Sequence, residues 1–367
     1  MTNQGKGKFL IIILLSVSLA GFAEISYIDF DIKPDCQKDQ AGKIQRYLDF
    51  MASKKGGTAY LPAGKYILQE SLVIPTSVTL EGSWQMPHHG IKDKGTVFYA
   101  YPDRGNEAGK ALVTLTQSSA IKGVTILYPE QSLDDIEPYP WTIKGTGMHN
   151  VVENVTLANS YNGICIGPEN NELHFIHNVY GCVLRRGIFI DNTTDIGRIE
   201  NVHFNPHFWP RSTHKGVPED AKPNPDIAVA KYMNRHLEAF ILGRTDWQYV
   251  TNTFVFGAKT GYLFKKTDNG VCNGQFSGIG ADMNRTCVYI ENTPPYGILI
   301  NNGQFVPGNL VKEDSGVAPV AILTSKEFTG KASFSNCAFW GPPYQVLVEH
   351  GKGFVSVANS LVKVNSP

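Results

Sequence analysis

The sequence predicts an all-β fold: a parallel β-helix, or solenoid, in which short strands stack rung upon rung behind a short N-terminal capping helix. Three observations lead there. Short apolar runs recur, often opening on glycine: Gly163-Ile-Cys-Ile, Gly187-Ile-Phe-Ile, Gly261-Tyr-Leu-Phe, Thr286-Cys-Val-Tyr-Ile and Gly297-Ile-Leu-Ile. Asparagine followed closely by a large apolar residue recurs at Asn154, Asn178, Asn201, Asn252, Asn273, Asn302 and Asn336. The spacings are 24, 23, 51, 21, 29 and 34, so the 51 reads as about two periods or one period plus an insertion. A 20-plus-residue period built from 4–6-residue strands is the mark of a coil whose turns bury their apolar faces only by stacking. A two-sheet sandwich also has short strands, but its hairpins need no such period. Asparagine suits a fixed turn because it tolerates left-handed backbone and bonds its own main chain.

Composition agrees. In 367 residues there are 36 Gly, 21 Pro and 25 Asn, a turn-rich content unsuited to a helical bundle. Hydrophobic residues make up 42%, enough for a large core. Lys+Arg and Asp+Glu both number 33, which excludes a strongly basic nucleic-acid-binding surface.

Taken in chain order, residues 1–23 read as a signal peptide. Lys6 and Lys8 precede the apolar run Phe9–Ala20, which is too short for a comfortable membrane span, and Gly21 and Ala23 suit cleavage before Glu24. The expectation is a secreted or periplasmic protein, residues 24–367 forming a single β-helix domain with no stable membrane span after cleavage. Six cysteines form no CxxC pair and mostly lie in apolar runs, so no zinc site, no catalytic thiol and at most one disulfide are expected.

Residues 39–54 form the one helical stretch near the start. Ile44, Leu48 and Met51 share a face, and Asp39 is placed to cap it. There follow Gly56-Gly57-Thr58, then Leu61-Pro62-Ala63-Gly64-Lys65-Tyr66, then a strand closing with Leu80-Glu81-Gly82. This succession resembles the N-terminal region of the pectate-lyase-like superfamily of right-handed parallel β-helix proteins, which includes rhamnogalacturonases, polygalacturonases, tailspike depolymerases and epimerase-like proteins. The resemblance is close over about residues 40–82. It implies a right-handed coil and a polysaccharide substrate. The polygalacturonase motifs do not carry over: Asn192-Thr-Thr-Asp195 and Arg198-Ile-Glu200 fall within one rung, and Gly-His-Gly is missing.

Aligning the rungs on their asparagines places Glu172, Asp195 and Asp246 each six residues before an Asn. This predicts three carboxylates in one column on successive rungs, roughly 5 Å apart. Close carboxylates with separated acid and base roles are what glycosidic cleavage needs. The bland alternative is that each acid caps its turn.

Residues 205–237 form a long loop insertion with a short helix from Asp226 to His236, and long loops on rigid scaffolds often carry the site. From it, and from the rungs beside it, Trp209 and Trp247 are candidates to stack on sugar rings. His207 is a candidate for proton transfer, as are His203 and His236. Arg198, Arg211 and Arg244 are candidates to pair with uronate carboxylates, and Asp191 is expected to point outward with Phe189.

Three functions follow. The leading one is a glycoside hydrolase using an acid pair from Asp195, Asp246 and Glu172. The second is a polysaccharide lyase acting by β-elimination on a uronic-acid polymer. The third is a non-catalytic glycan-binding coil. No cofactor is required for the first, whereas a lyase would use Ca²⁺ or arginine to neutralise charge. The partner is a polysaccharide or oligosaccharide, and a homo-oligomer is compatible with the sequence.

Overall fold

A computed structural model describes residues 25–87, 94–212, 224–311, 314, 316 and 318–363. The expected signal peptide and part of the insertion lie outside these residues. The strands wind into a parallel β-helix with three faces, named here sheets A, B and C in the order the chain visits them. Sheet A runs from Gly57–Leu61 and Val78–Gly82 to Lys331–Ser335 and Phe354–Ala358. Sheet B includes Gly64–Leu68, Thr96–Ala100, Phe254–Phe256 and Gly280–Asn284. Sheet C includes Trp141–Met148, Glu238–Leu242, Thr260–Phe264 and Thr286–Ile290. The long strands Val151–Glu172 and Phe175–Ile190 bend through all three faces.

The core follows from strand alternation. In sheet A, Val152, Ile176, Ile199, Val250, Phe276, Ile300 and Phe334 share one register column and are buried. In sheet C, Ile164, Ile188, Phe240, Tyr262, Val288 and Ile322 do the same. Each large apolar side chain so buried contributes about 1.5–3 kcal/mol relative to exposure, and only stacking completes the burial.

The corner between sheets A and B is the asparagine turn. Asn154, Asn178, Asn201, Asn252, Asn302 and Asn336 all take φ between 52° and 56°, and Asn359 takes 49°. Their amides form a ladder: Asn178 Nδ2 donates to Asn154 Oδ1 (2.9 Å), Asn201 to Asn178 (2.6 Å) and Asn336 to Asn302 (2.7 Å). Asn273 departs from the sequence expectation. It lies inside the sheet A strand Cys272–Ser277, and Gly278 (φ 64°) takes the turn position in that rung.

Helix α1 (Ala41–Ser53) closes the N-terminal end, with Ile44 and Leu48 fully buried and Met51 packed against the core. Its start is two residues later than the sequence suggests. Asp39 still serves it, since its Oδ1 accepts the Ala41 N–H at 3.0 Å. Helix α2 (Pro225–His236) lies in the insertion and docks through Val229, Met233 and Asn234. The Asn234 amide donates to Met283 O (2.9 Å) and accepts from Arg285 Nε and Leu310 N (3.1 Å each).

Candidate functional site

The proposed acid column is real for two of its three members. Asn171, Thr193 and Thr245 pair in parallel at the corner between sheets C and A. Their successors Glu172, Thr194 and Asp246 therefore lie on adjacent rungs. Asp195 is displaced: from Asn171 to Phe175 is four residues, but from Thr193 to the paired Arg198 is five. The extra residue is taken up in a bend, where exposed Asp195 accepts its neighbour's N–H, Ile196 N to Oδ1 at 2.8 Å. Thr194 fills the column instead, and its Oγ1 donates to Glu172 Oε1 at 2.6 Å. Asp246 is held by Arg244, whose Nη2 lies 2.8 Å from Oδ2 while Nη1 donates to Thr193 O at 2.5 Å.

Asp191 does not point outward. It is 2% exposed because it follows the last strand residue and turns into the corner. Its carboxylate gathers three donors from later rungs: Arg244 N and Thr267 Oγ1 at 2.8 Å on Oδ1, and Asn269 Nδ2 at 2.9 Å on Oδ2. It braces the corner that carries the acids.

The insertion does not join the acid row. It leaves sheet B after Phe204 and re-enters sheet C at Glu238, so it occupies the B-to-C corner, whereas the acids stand at the C-to-A corner. Trp209 is 0% exposed and packs in the core rather than offering a sugar platform. His207 stacks on Phe256 (6.4 Å between centroids), His203 lies edge-on to Phe208 and Phe254, and His236 packs on Tyr232. Arg211 is spent on Asp226 within the insertion, with Nε to Oδ2 at 2.7 Å. Arg198 sits on the outer face of sheet A, partly exposed. Trp247, the residue after Asp246, is 57% exposed at φ 52°, a backbone region that bulky residues rarely occupy.

A second feature was not anticipated. The outer face of sheet C holds a groove of about 230 Å³ lined by Trp141, Lys144, Pro168, Arg186, Phe189, Glu238, Ile241 and Lys265, with Cys165 in its floor. Lys144, Cys165, Phe189, Ile241 and Leu263 share one register column, which makes a largely apolar floor. The Trp141 and Phe189 rings are stacked at 6.2 Å and 20°, and the Arg186 guanidinium lies 5.9 Å over Trp141. Lys144 pairs with Glu169 (2.8 Å) and Arg186 with Glu107 (3.3 Å). The signal was available in the Gly-opened runs, whose third residue lies on the outer face of sheet C: Cys165, Phe189 and Leu263. Burial pushes the Cys165 thiol up to about 12. All six cysteines are unpaired.

Among the described residues no group of three or more His, Cys, Asp or Glu side chains is placed to hold a metal ion. No helix among them is long and apolar enough to cross a membrane.

Residues 25–208 match the family described as Rhamnogalacturonase A/epimerase, pectate lyase-like. The chain belongs to this family. This pectate-lyase-like protein shares its fold with distant solved structures. The exopolygalacturonase from Thermotoga maritima is 12% identical, with 92% of this chain and 91% of that one covered and a TM-score of 0.54. The A-module of Azotobacter vinelandii mannuronan C-5 epimerase AlgE6 is 12% identical, with 93% and 100% covered and a TM-score of 0.52. The tailspike protein of E. coli bacteriophage HK620 is 10% identical, with 92% and 66% covered and a TM-score of 0.51. No curated protein matches the chain.

Proposed function

We propose that this pectate-lyase-like protein is an exported glycoside hydrolase that cleaves an acidic polysaccharide lying on sheet C. One observation carries the reading: Arg186 lies over Trp141, which is stacked on Phe189, with Lys144 and Lys265 lining the same groove. Aromatic faces suit the apolar face of a pyranose ring, and the cations suit its carboxylate. The carbohydrate-active names of the family and its structural neighbours support the substrate class.

The acid pair is assigned to Glu172 and Asp246. They stand two strand spacings apart, roughly 10 Å at the backbone. Inverting hydrolysis uses carboxyl groups about 6.5–9.5 Å apart, with a water between them, a gap that side chains leaning toward each other from these two rungs would leave. Asp246, ion-paired with Arg244, activates the water, and Glu172 protonates the leaving oxygen. Thr194 orients Glu172, and Asp191 holds the corner rigid. Pro168 and Lys265, from the same corner, form the groove's adjoining rim.

A second reading is supported by Lys265, which makes no ion pair among the described residues. A cation of that kind beside a uronate serves β-elimination, by neutralising the carboxylate while a base removes the neighbouring proton. The groove itself is tested by titrating the protein with oligogalacturonate and oligoalginate. Trp141→Ala and Arg186→Ala are each expected to weaken binding of the preferred oligomer at least tenfold with the thermal midpoint unchanged. Unaltered binding in both variants would remove the groove from the account.

A further inference from the structure

Tyr249, Gln275, Leu299, Ser333 and Ser356 form one register column on sheet A, one residue from each of five successive rungs. Just before this column, at the corner where the chain enters sheet A, three aromatic rings stand in the open. Trp247 (57% exposed) lies two residues before Tyr249, Tyr296 (69%) three before Leu299, and Phe354 (62%) two before Ser356. They therefore occupy the first, third and fifth rungs. The rungs between them carry polar residues at this place, Asn273 before Gln275 and Lys331 before Ser333. Their backbones lie two strand spacings apart, roughly 10 Å, along roughly 19 Å of the coil, with Tyr296 in the turn one residue ahead of Gly297, which faces Lys331.

Three properties set this row apart. Tyr60 and Trp340 are the other exposed aromatics among the described residues, and neither lies on it. Leu299, also 49% exposed, follows Tyr296 on the third rung, but Asn273 and Lys331 interrupt the row, whereas a protein-binding face has a contiguous apolar core. Trp247 is displayed by a left-handed backbone at a register break between Thr245 and Gln248, a cost that persists only where the surroundings impose it.

We infer that Trp247, Tyr296 and Phe354 form an aromatic rail that binds a linear polysaccharide along the coil axis. Pyranose rings present a flat apolar face to aromatic side chains, and a chain with a two-fold twist presents the same face every second sugar. A rail with a two-rung repeat meets alternate sugars. Its first ring follows Asp246 directly, so a bound polymer would be led toward the acid row. That last step rests on the proposed hydrolase reading; the binding does not.

Affinity electrophoresis of the full chain through gels containing polygalacturonate, alginate or hydroxyethylcellulose tests the rail. At least one polymer is expected to retard the protein, and the triple variant Trp247→Ala, Tyr296→Ala, Phe354→Ala should lose that retardation at least fivefold. The control Tyr60→Ala, Trp340→Ala should keep it. No retardation by any polymer, or equal retardation of the triple variant, would overturn the rail. So would a wild-type dimer that the triple variant converts to monomer, because the row would then be a self-association face. Where cleavage is measurable, Tyr296→Ala with Phe354→Ala should slow turnover of long polymers and spare short oligosaccharides. Binding that fails with cleavage intact contradicts the rail alone, and intact rail binding without cleavage contradicts the hydrolase reading alone.

Discussion

Thr194 Oγ1 donates a 2.6 Å hydrogen bond to Glu172 Oε1 across one strand spacing, in the place where Asp195 was expected. This contact separates two carboxylates with a shared column from a third that only looks aligned. Thr194 also spaces Glu172 from Asp246, so the row is a pair with a hydroxyl between rather than a triad of like charges.

Glu172→Gln and Asp246→Asn should each lower the rate of glycosidic cleavage by about 10²–10⁴-fold, the usual scale for losing a general acid or base. Asp195→Asn should leave the rate close to that of the unmodified protein, since its carboxylate serves only the Ile196 N–H. Thr194→Val should reduce turnover and shift the pH profile, with little effect on substrate affinity. Reducing-end release read against the thermal midpoint separates these effects from misfolding.

The asparagine ladder is broken where Gly278 takes the turn position. Its φ of 64° is one that asparagine tolerates, and an added Cβ would meet only the end of the Asn252 side chain, Oδ1 at 2.9 Å. Gly278→Asn should therefore stabilise the coil by about 0.5–1 kcal/mol, by restricting the unfolded chain and offering amide bonds to the adjacent rungs. Gly278→Val should destabilise it by about 1–2 kcal/mol, the cost of forcing a side chain into left-handed backbone. Urea midpoints decide between these outcomes.

Acid should destabilise the fold through His174. Its ring is fully buried, neither nitrogen has a hydrogen bond of normal geometry, and Gln248 faces it across Gly197. Burial lowers its pKa from 6.5 to about 4. The unfolded chain therefore takes up a proton that the native state refuses. The stability from this site is complete above pH 6.5 and falls as pH drops toward 4, by about 3 kcal/mol at that point. His174→Gln should flatten that part of the stability profile.

Much of the coil was legible in the asparagines, because a turn that needs left-handed backbone selects one residue type and repeats it each rung. The exception shows the limit. Asn273-Gly-Gln-Phe276 and Asn302-Gly-Gln-Phe305 are the same tetrapeptide, yet the first lies in a strand and the second opens on the turn. Local sequence does not distinguish them; the buried column from Val250 through Phe276 to Ile300 does. The site was less legible for the same reason. Counting back from Asn201 assumes equal corners, and one added residue moved Asp195 out of register. Trp209 looked exposed because insertions usually are, but this one folds over a different corner and buries its largest side chain. The groove escaped notice because Trp141, Arg186 and Lys265 lie on three separate rungs.

The central claim, hydrolysis of an acidic polysaccharide by the Glu172–Asp246 pair, is tested most directly by product chemistry. The protein would be incubated with polygalacturonate, alginate and related acidic polymers while reducing ends and the ultraviolet absorbance of unsaturated uronates are followed together. The account predicts reducing ends without that absorbance, abolished by Asp246→Asn. Absorbance rising with each cleavage, or cleavage undiminished in both Glu172→Gln and Asp246→Asn, would contradict it.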